Sequence, residues 1–106
     1  MKYEKLIKDG KVAVIVSPGF GAGWSTWASE PFKEALMFDK NLVEFIQAGK
    51  LPEAEEYTNL HYPNTFCGGL DQAEIEWVPE GDQFYIEEYD GSESIHIAGG
   101  KEFYKA

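Results

Sequence analysis

Arginine is missing from the chain: all nine basic residues are lysines, set against 19 aspartates and glutamates for a net charge of −10. So acidic a protein repels a phosphate backbone, and direct binding of DNA or RNA is not expected. Bidentate recognition of phosphate also has no guanidinium to perform it. Cysteine is nearly missing, with Cys67 alone. That rules out an internal disulfide and any Cys-cluster zinc site, fits a reducing cytoplasmic location, and implies no structural metal or cofactor. Long apolar runs are missing too. The longest aliphatic one, residues 12–16, falls far short of the roughly 20 residues of a membrane span and the roughly 7–15 of a signal-peptide core.

What is present describes a folded protein. A chain of 106 residues, 43% hydrophobic and 15% aromatic, has the size of one domain and can bury roughly 65% of its unfolded surface. Charge is unevenly placed. Residues 1–50 carry near-equal numbers of lysines and acids, whereas residues 51–100 hold no lysine and acids from Glu53 to Glu93. That half presents a negative face to solvent or meets a basic partner.

Asp9-Gly10 marks a turn, after which the β-branched residues of 11–17 predict a strand buried on both faces. Pro18 stops it, and a glycine-rich loop follows over residues 19–24. Ser29 is the expected N-cap, with Glu30 and Pro31 in the first turn, of a short helix through Phe38. Asp39 is a second cap, for a helix spacing Leu42, Phe45 and Ile46 on one face and closed by Gly49. Pro52 opens a third helix to about Leu60, ended by Pro63. Then the period changes: Ala73, Ile75 and Trp77 alternate with Glu74 and Glu76, and residues 84–89 and 94–97 flank the hairpin signal Asp90-Gly91. The expected fold is a single α+β domain: an N-terminal strand and short helices, then a C-terminal antiparallel β-meander of three strands.

The loop at 19–27 is the first candidate site. A strand running through glycines toward a helix is how backbone N–H groups cradle phosphates. A P-loop, however, needs Lys and Ser or Thr after its last glycine, and here Trp24-Ser25-Thr26 follows Gly23; a dinucleotide loop needs a third glycine where Trp24 stands. An acyl-transfer oxyanion loop would require a Gly-x-Ser-x-Gly elbow, which is absent. The expected role is binding: Gly19, Phe20, Gly21, Gly23, Trp24, Ser25, Thr26 and Trp27 would line a site for a small polar, nucleotide-like ligand or for a second subunit. The bland alternative is that the glycines allow a close backbone approach while Trp24 and Trp27 cap the core. The sixteen aromatics favour burial of some of them in a homo-oligomer.

A second cluster, residues 61–69, holds His61 and Cys67, either a nucleophile pair or a helix-end imidazole and a buried thiol. A third is the carboxylate set Glu74, Glu76, Glu87, Glu88 and Asp90. It is a solvated strand face, or a negative surface that imitates nucleic-acid phosphates and binds a basic protein.

Residues 11–27 (KVAVIVSPGFGAGWSTW) and 83–95 (QFYIEEYDGSESI) resemble small uncharacterised proteins of bacteriophage and prophage genomes. The resemblance implies stoichiometric binding, counter-defence inhibition included, and carries over no functional residues. The expected function is that of a non-enzymatic binding protein.

Overall fold

Residues 12–16 are almost completely shut off from solvent, and the fold is arranged around the strand that carries them. The computed structural model describes residues 3–29, 31–63, 65, 67–97 and 104–106. In it, β1 (Ile7–Lys8) and β2 (Lys11–Val16) form a hairpin. Its two-residue turn, Asp9-Gly10, has both φ angles positive, 54° and 76°, the combination that matches the natural twist of paired strands. The other edge of β2 is taken along its whole length by antiparallel β3 (Glu74–Pro79), with Lys11 opposite Pro79 and Val16 opposite Glu74.

A second antiparallel sheet has the order β5-β4-β6, from β4 (Gln83–Tyr89), β5 (Ser92–Ile97) and β6 (Tyr104–Lys105). β4 and β5 are joined by Asp90-Gly91, again with both φ angles positive, 47° and 83°. The C-terminal strands thus form no continuous meander. The α+β class stands, but β3 joins β2 in one sheet while β4 and β5 build the other. The reason is the burial of β2: backbone groups with no access to water must be paired, and with β1 on one edge the whole second edge is left for β3 to pair.

Because successive side chains alternate across a strand, β2 feeds two cores. Ala13 and Ile15 pack with Trp24, Leu36, Leu42, Val43 and Tyr62, beneath the helices. Val12, Val14 and Val16 pack with Met37, Phe38, Val78 and Phe84, beneath the second sheet. Helix α1 (Lys33–Phe38) serves both, giving Ala35 and Leu36 to the first and Met37 and Phe38 to the second.

α1 starts later than Ser29 predicts. Phe32 stands at its N-cap with no side-chain cap, Ser29 closes a turn by accepting from Phe32 N–H (2.9 Å), and Ser29 N–H donates to Thr65 Oγ1 (2.9 Å). Glu30 lies outside the described residues. Tertiary bonds to the loop at 65 take the chain here out of helical geometry, overriding the local cap signal.

α1 stops at Asp39, whose ψ of 114° breaks the helix before α2 (Lys40–Gln47). The break costs little because both ends are capped. Leu36 C=O, which a continuing helix would bond to residue 40, accepts the Trp24 indole N–H at 2.7 Å. Asp39 Oδ1 accepts Asn41 N–H at 2.9 Å and Leu42 N–H at 3.4 Å. α2 closes as the glycine predicts: Gly49 at φ 70° lets its own N–H reach Ile46 C=O and Lys50 N–H reach Phe45 C=O. α3 (Leu51–His61), with Pro52 in its first turn, lies against α2. Among the described residues no helix is long and apolar enough to cross a membrane.

Three tyrosines tie this core to alkaline pH. Burial, with Glu34 beside it, pushes the Tyr3 phenol up to about 12 from 10.0. Burial and then Asp39 raise Tyr62, and burial chiefly raises Tyr57. A folded-state pKa above the unfolded one means that the native state holds its proton longer. The stabilisation is therefore complete below pH 10 and is lost as pH rises through the folded value. Denaturation midpoints should be flat up to pH 10 and fall steadily towards pH 12, with Tyr3→Phe flattening part of the fall. A midpoint unchanged across that window would contradict the burial of these phenols.

Candidate functional site

The glycine loop is stitched to the β4–β5 turn. Gly21 N–H donates to Asp90 C=O, Gly23 N–H to Gly91 C=O (2.8 Å), and Ser92 Oγ to Pro18 C=O (2.6 Å). This closeness explains two glycines. A Cβ on Gly91 would sit 2.7 Å from Ala22 N and 2.8 Å from the Gly21 carbonyl carbon, and one on Gly23 would enter the Trp27 ring. The amides of Gly21 and Gly23, the obvious donors for a phosphate cradle, are both committed to carbonyls.

A buried carboxylate anchors the other end of the loop. Glu93 is almost fully buried. It accepts Ser17 N–H (3.2 Å), Thr26 N–H (2.9 Å) and Thr26 Oγ–H (2.6 Å), while its own N–H donates to Ser17 C=O (3.0 Å). Ser17 Oγ in turn donates to Gly69 C=O at 2.8 Å. A carboxylate filled by three donors is how a charge is tolerated inside a protein.

These bonds divide the candidate loop residues. Trp24 is fully buried, with Gly23 and Ser25 beside it, and Gly19 is pressed against Gln72. Phe20 and Trp27 emerge, 75% and 43% exposed, and Gly21 is exposed between them in the chain. Phe20 meets Tyr89, itself 71% exposed, edge to face at 6.3 Å. The Trp27 side chain bonds Glu88, whose carboxylate also accepts Gly91 N–H at 2.9 Å. That amide first, then Trp27, holds the Glu88 carboxyl below the usual glutamate range. Around the β4–β5 turn, Phe20 thus meets Tyr89 on one face of β4 and Trp27 meets Glu88 on the other. Sequence reasoning missed Tyr89. The available signal was a large aromatic directly before Asp90-Gly91, on the strand face opposite to buried Phe84.

The carboxylates are not one patch. On β4 the pleat sends Glu87 and Glu88 to opposite faces. Glu87 lies beside His96 (3.6 Å) on the face of Tyr85, and Glu88 is opposite Glu93. Glu74 and Glu76 are exposed on β3, opposite Val16 and Val14 in the other sheet.

Of the second cluster, Asn64 and Phe66 lie outside the described residues. His61 is exposed with its ring on Tyr57 at 4.4 Å, and no hydrogen bond joins it to Cys67 among the described residues. Burial pushes the Cys67 thiol up, the reverse of what an activated thiolate needs. Cys67 lines an open cavity of about 770 Å³ with Leu51, Glu55, Tyr62, Leu70 and Asp71. A smaller cavity of about 250 Å³ is lined by Ser25, Thr26, Lys33, Met37, Tyr85, Ile86 and Tyr104. Among the described residues no group of three or more His, Cys, Asp and Glu side chains could hold a metal ion.

Fold and site together define a small α+β domain with two antiparallel three-stranded sheets and exposed aromatics around the β4–β5 turn. Comparison with protein-family models, with curated proteins and with solved structures finds no match.

Proposed function

We propose that the protein is a non-enzymatic binding protein that docks on a basic partner protein through the exposed aromatics around the β4–β5 turn, Phe20 with Tyr89 and Trp27 with Glu88, beside Asp90. The observation that carries this reading is the exposed Phe20–Tyr89 pair, contributed by two distant segments on a backbone fixed by paired amides, with exposed Trp27 bonded to Glu88 beside the same turn. Large exposed rings on a pre-ordered loop bind at low entropic cost, and aromatics are enriched where proteins meet. Chemistry selects the partner. Rings beside carboxylates favour Lys and Arg side chains, through cation–π contact and ion pairing. The net charge of −10 steers a basic surface towards the protein and repels an acidic one.

The test compares the intact protein with the double variant Phe20→Ala/Tyr89→Ala in affinity capture from cell extract at low and high salt. Both side chains are mostly exposed, so the variant should melt like the parent. The expected result is a basic protein retained by the parent at low salt, released at high salt and lost by the variant. An identical set of captured proteins with both would remove the Phe20–Tyr89 pair from function. Native mass spectrometry adds a distinct outcome: a homo-oligomer that the variant dissolves would make a second copy of the chain the occupant.

A further inference from the structure

We propose that the 250 Å³ cavity between the glycine loop, α1 and β4 binds a compact monocarboxylate with an apolar body. Phe20 and Trp27 are not among its walls, so the site stands independently of the protein-docking aromatics. The first observation is Ser25. It lines the cavity and is fully buried, yet its Oγ has no hydrogen-bond partner among the described residues. Buried hydroxyls are nearly always paired, and an exception asks for the group that would pair it. Its neighbour Thr26 does not share the vacancy, since its N–H and Oγ–H both serve Glu93.

The second observation is the polarity of the walls. Lys33 is the charged residue of the described lining; its ammonium makes no ion pair among the described residues, and none of the described lining residues is acidic. In a chain with nine lysines and 19 acids, a described lining with a lysine and no acid runs against the composition. A hydroxyl donor and an ammonium together suit a carboxylate, whose oxygens accept charge-assisted bonds. The remaining described lining, Met37, Ile86 and Tyr104 with the Tyr85 position of β4, suits a flat or branched apolar body. Size limits that body: the cavity lies just below the roughly 300–1,000 Å³ of pockets for drug-sized ligands.

Sodium benzoate is the probe and benzyl alcohol its uncharged counterpart, each titrated into isotope-labelled intact protein and followed by amide chemical shifts. Saturable shifts at Ser25, Thr26, Lys33 and Ile86, with the alcohol at least tenfold weaker, are expected. Two variants sharpen the test. Lys33→Met should weaken benzoate at least tenfold without lowering the melting temperature. Ser25→Ala should have opposite effects on fold and ligand, because removing an unpaired buried hydroxyl relieves the apo protein while deleting a ligand contact. Its melting temperature should rise by about 4–8 °C while benzoate binds at least fivefold more weakly. The proposal is overturned by unsaturable or scattered shifts, by equal affinity for the alcohol, or by a Ser25→Ala protein that melts lower or binds benzoate like the parent.

Discussion

Replacing Asp39 with Ala is expected to cost roughly 2–5 kcal/mol, from a lost helix N-cap and an orphaned buried hydroxyl together. This is a large share of the roughly 5–15 kcal/mol that holds a small domain together. Asp39 is almost fully buried at the break between α1 and α2. Its carboxylate accepts the Tyr62 hydroxyl at 2.5 Å, the Tyr57 hydroxyl at 2.9 Å, and the first amides of α2. The alanine variant leaves all these donors without an acceptor: an N-cap worth about 0.5–2 kcal/mol, and a buried phenol whose unpaired hydroxyl costs about 1–3 kcal/mol. Asp39→Asn keeps a capping oxygen and should recover about half of the loss. The decisive measurement is a double-mutant cycle by denaturant unfolding, because Tyr62→Phe should be much less harmful in the Asp39→Ala background than alone. If Asp39→Ala unfolds within 0.5 kcal/mol of the parent, the bonded junction is not what positions α2.

The readable parts of this fold were local. Asp9-Gly10 and Asp90-Gly91 specify their turns by φ alone, Asp39 and Gly49 bound α2 by cap chemistry, and the β-branched run of β2 announces a strand with two dry faces. Long-range pairing was not readable. β3 has the pattern of a half-buried strand whichever neighbour it takes, and its partner was decided by the unpaired edge of β2, some sixty residues earlier. Glu93 shows the same limit at the site. Between two serines, just after a turn, it reads as a solvated acid, and only the return of residues 17–26 across β5 buries it and fills it with donors. Phe20, Trp27, Glu88 and Asp90 were visible as candidates because aromatics beside glycines and acids beside a turn carry their own signal. That the loop is brought to the β4–β5 turn depended on the amide bonds between the two, which no spacing encodes.

Trp24 and Trp27 separate fold from function most sharply, and nothing in their spacing says which turns inward. Trp24 is fully buried in the core beneath the helices, with its indole N–H donating to the Leu36 carbonyl of α1. Trp24→Ala removes the largest fully buried side chain, leaving a cavity that costs about 3–5 kcal/mol before the orphaned Leu36 carbonyl is counted. The variant should lose its cooperative thermal transition, and with it any binding. Trp27 lies over Gly23 and reaches Glu88 at the surface, so Trp27→Ala should stay within about 1 kcal/mol of the parent and still lose the basic partner. Its Glu88 carboxyl should titrate closer to an ordinary glutamate while remaining below it, because the Gly91 amide bond persists. The pair is read by thermal unfolding, a carboxyl-resolved pH titration and capture of the partner. A folded, binding-competent Trp24→Ala protein would overturn the inward assignment, and a Trp27→Ala protein that binds as tightly as the parent would take Trp27 out of the docking surface.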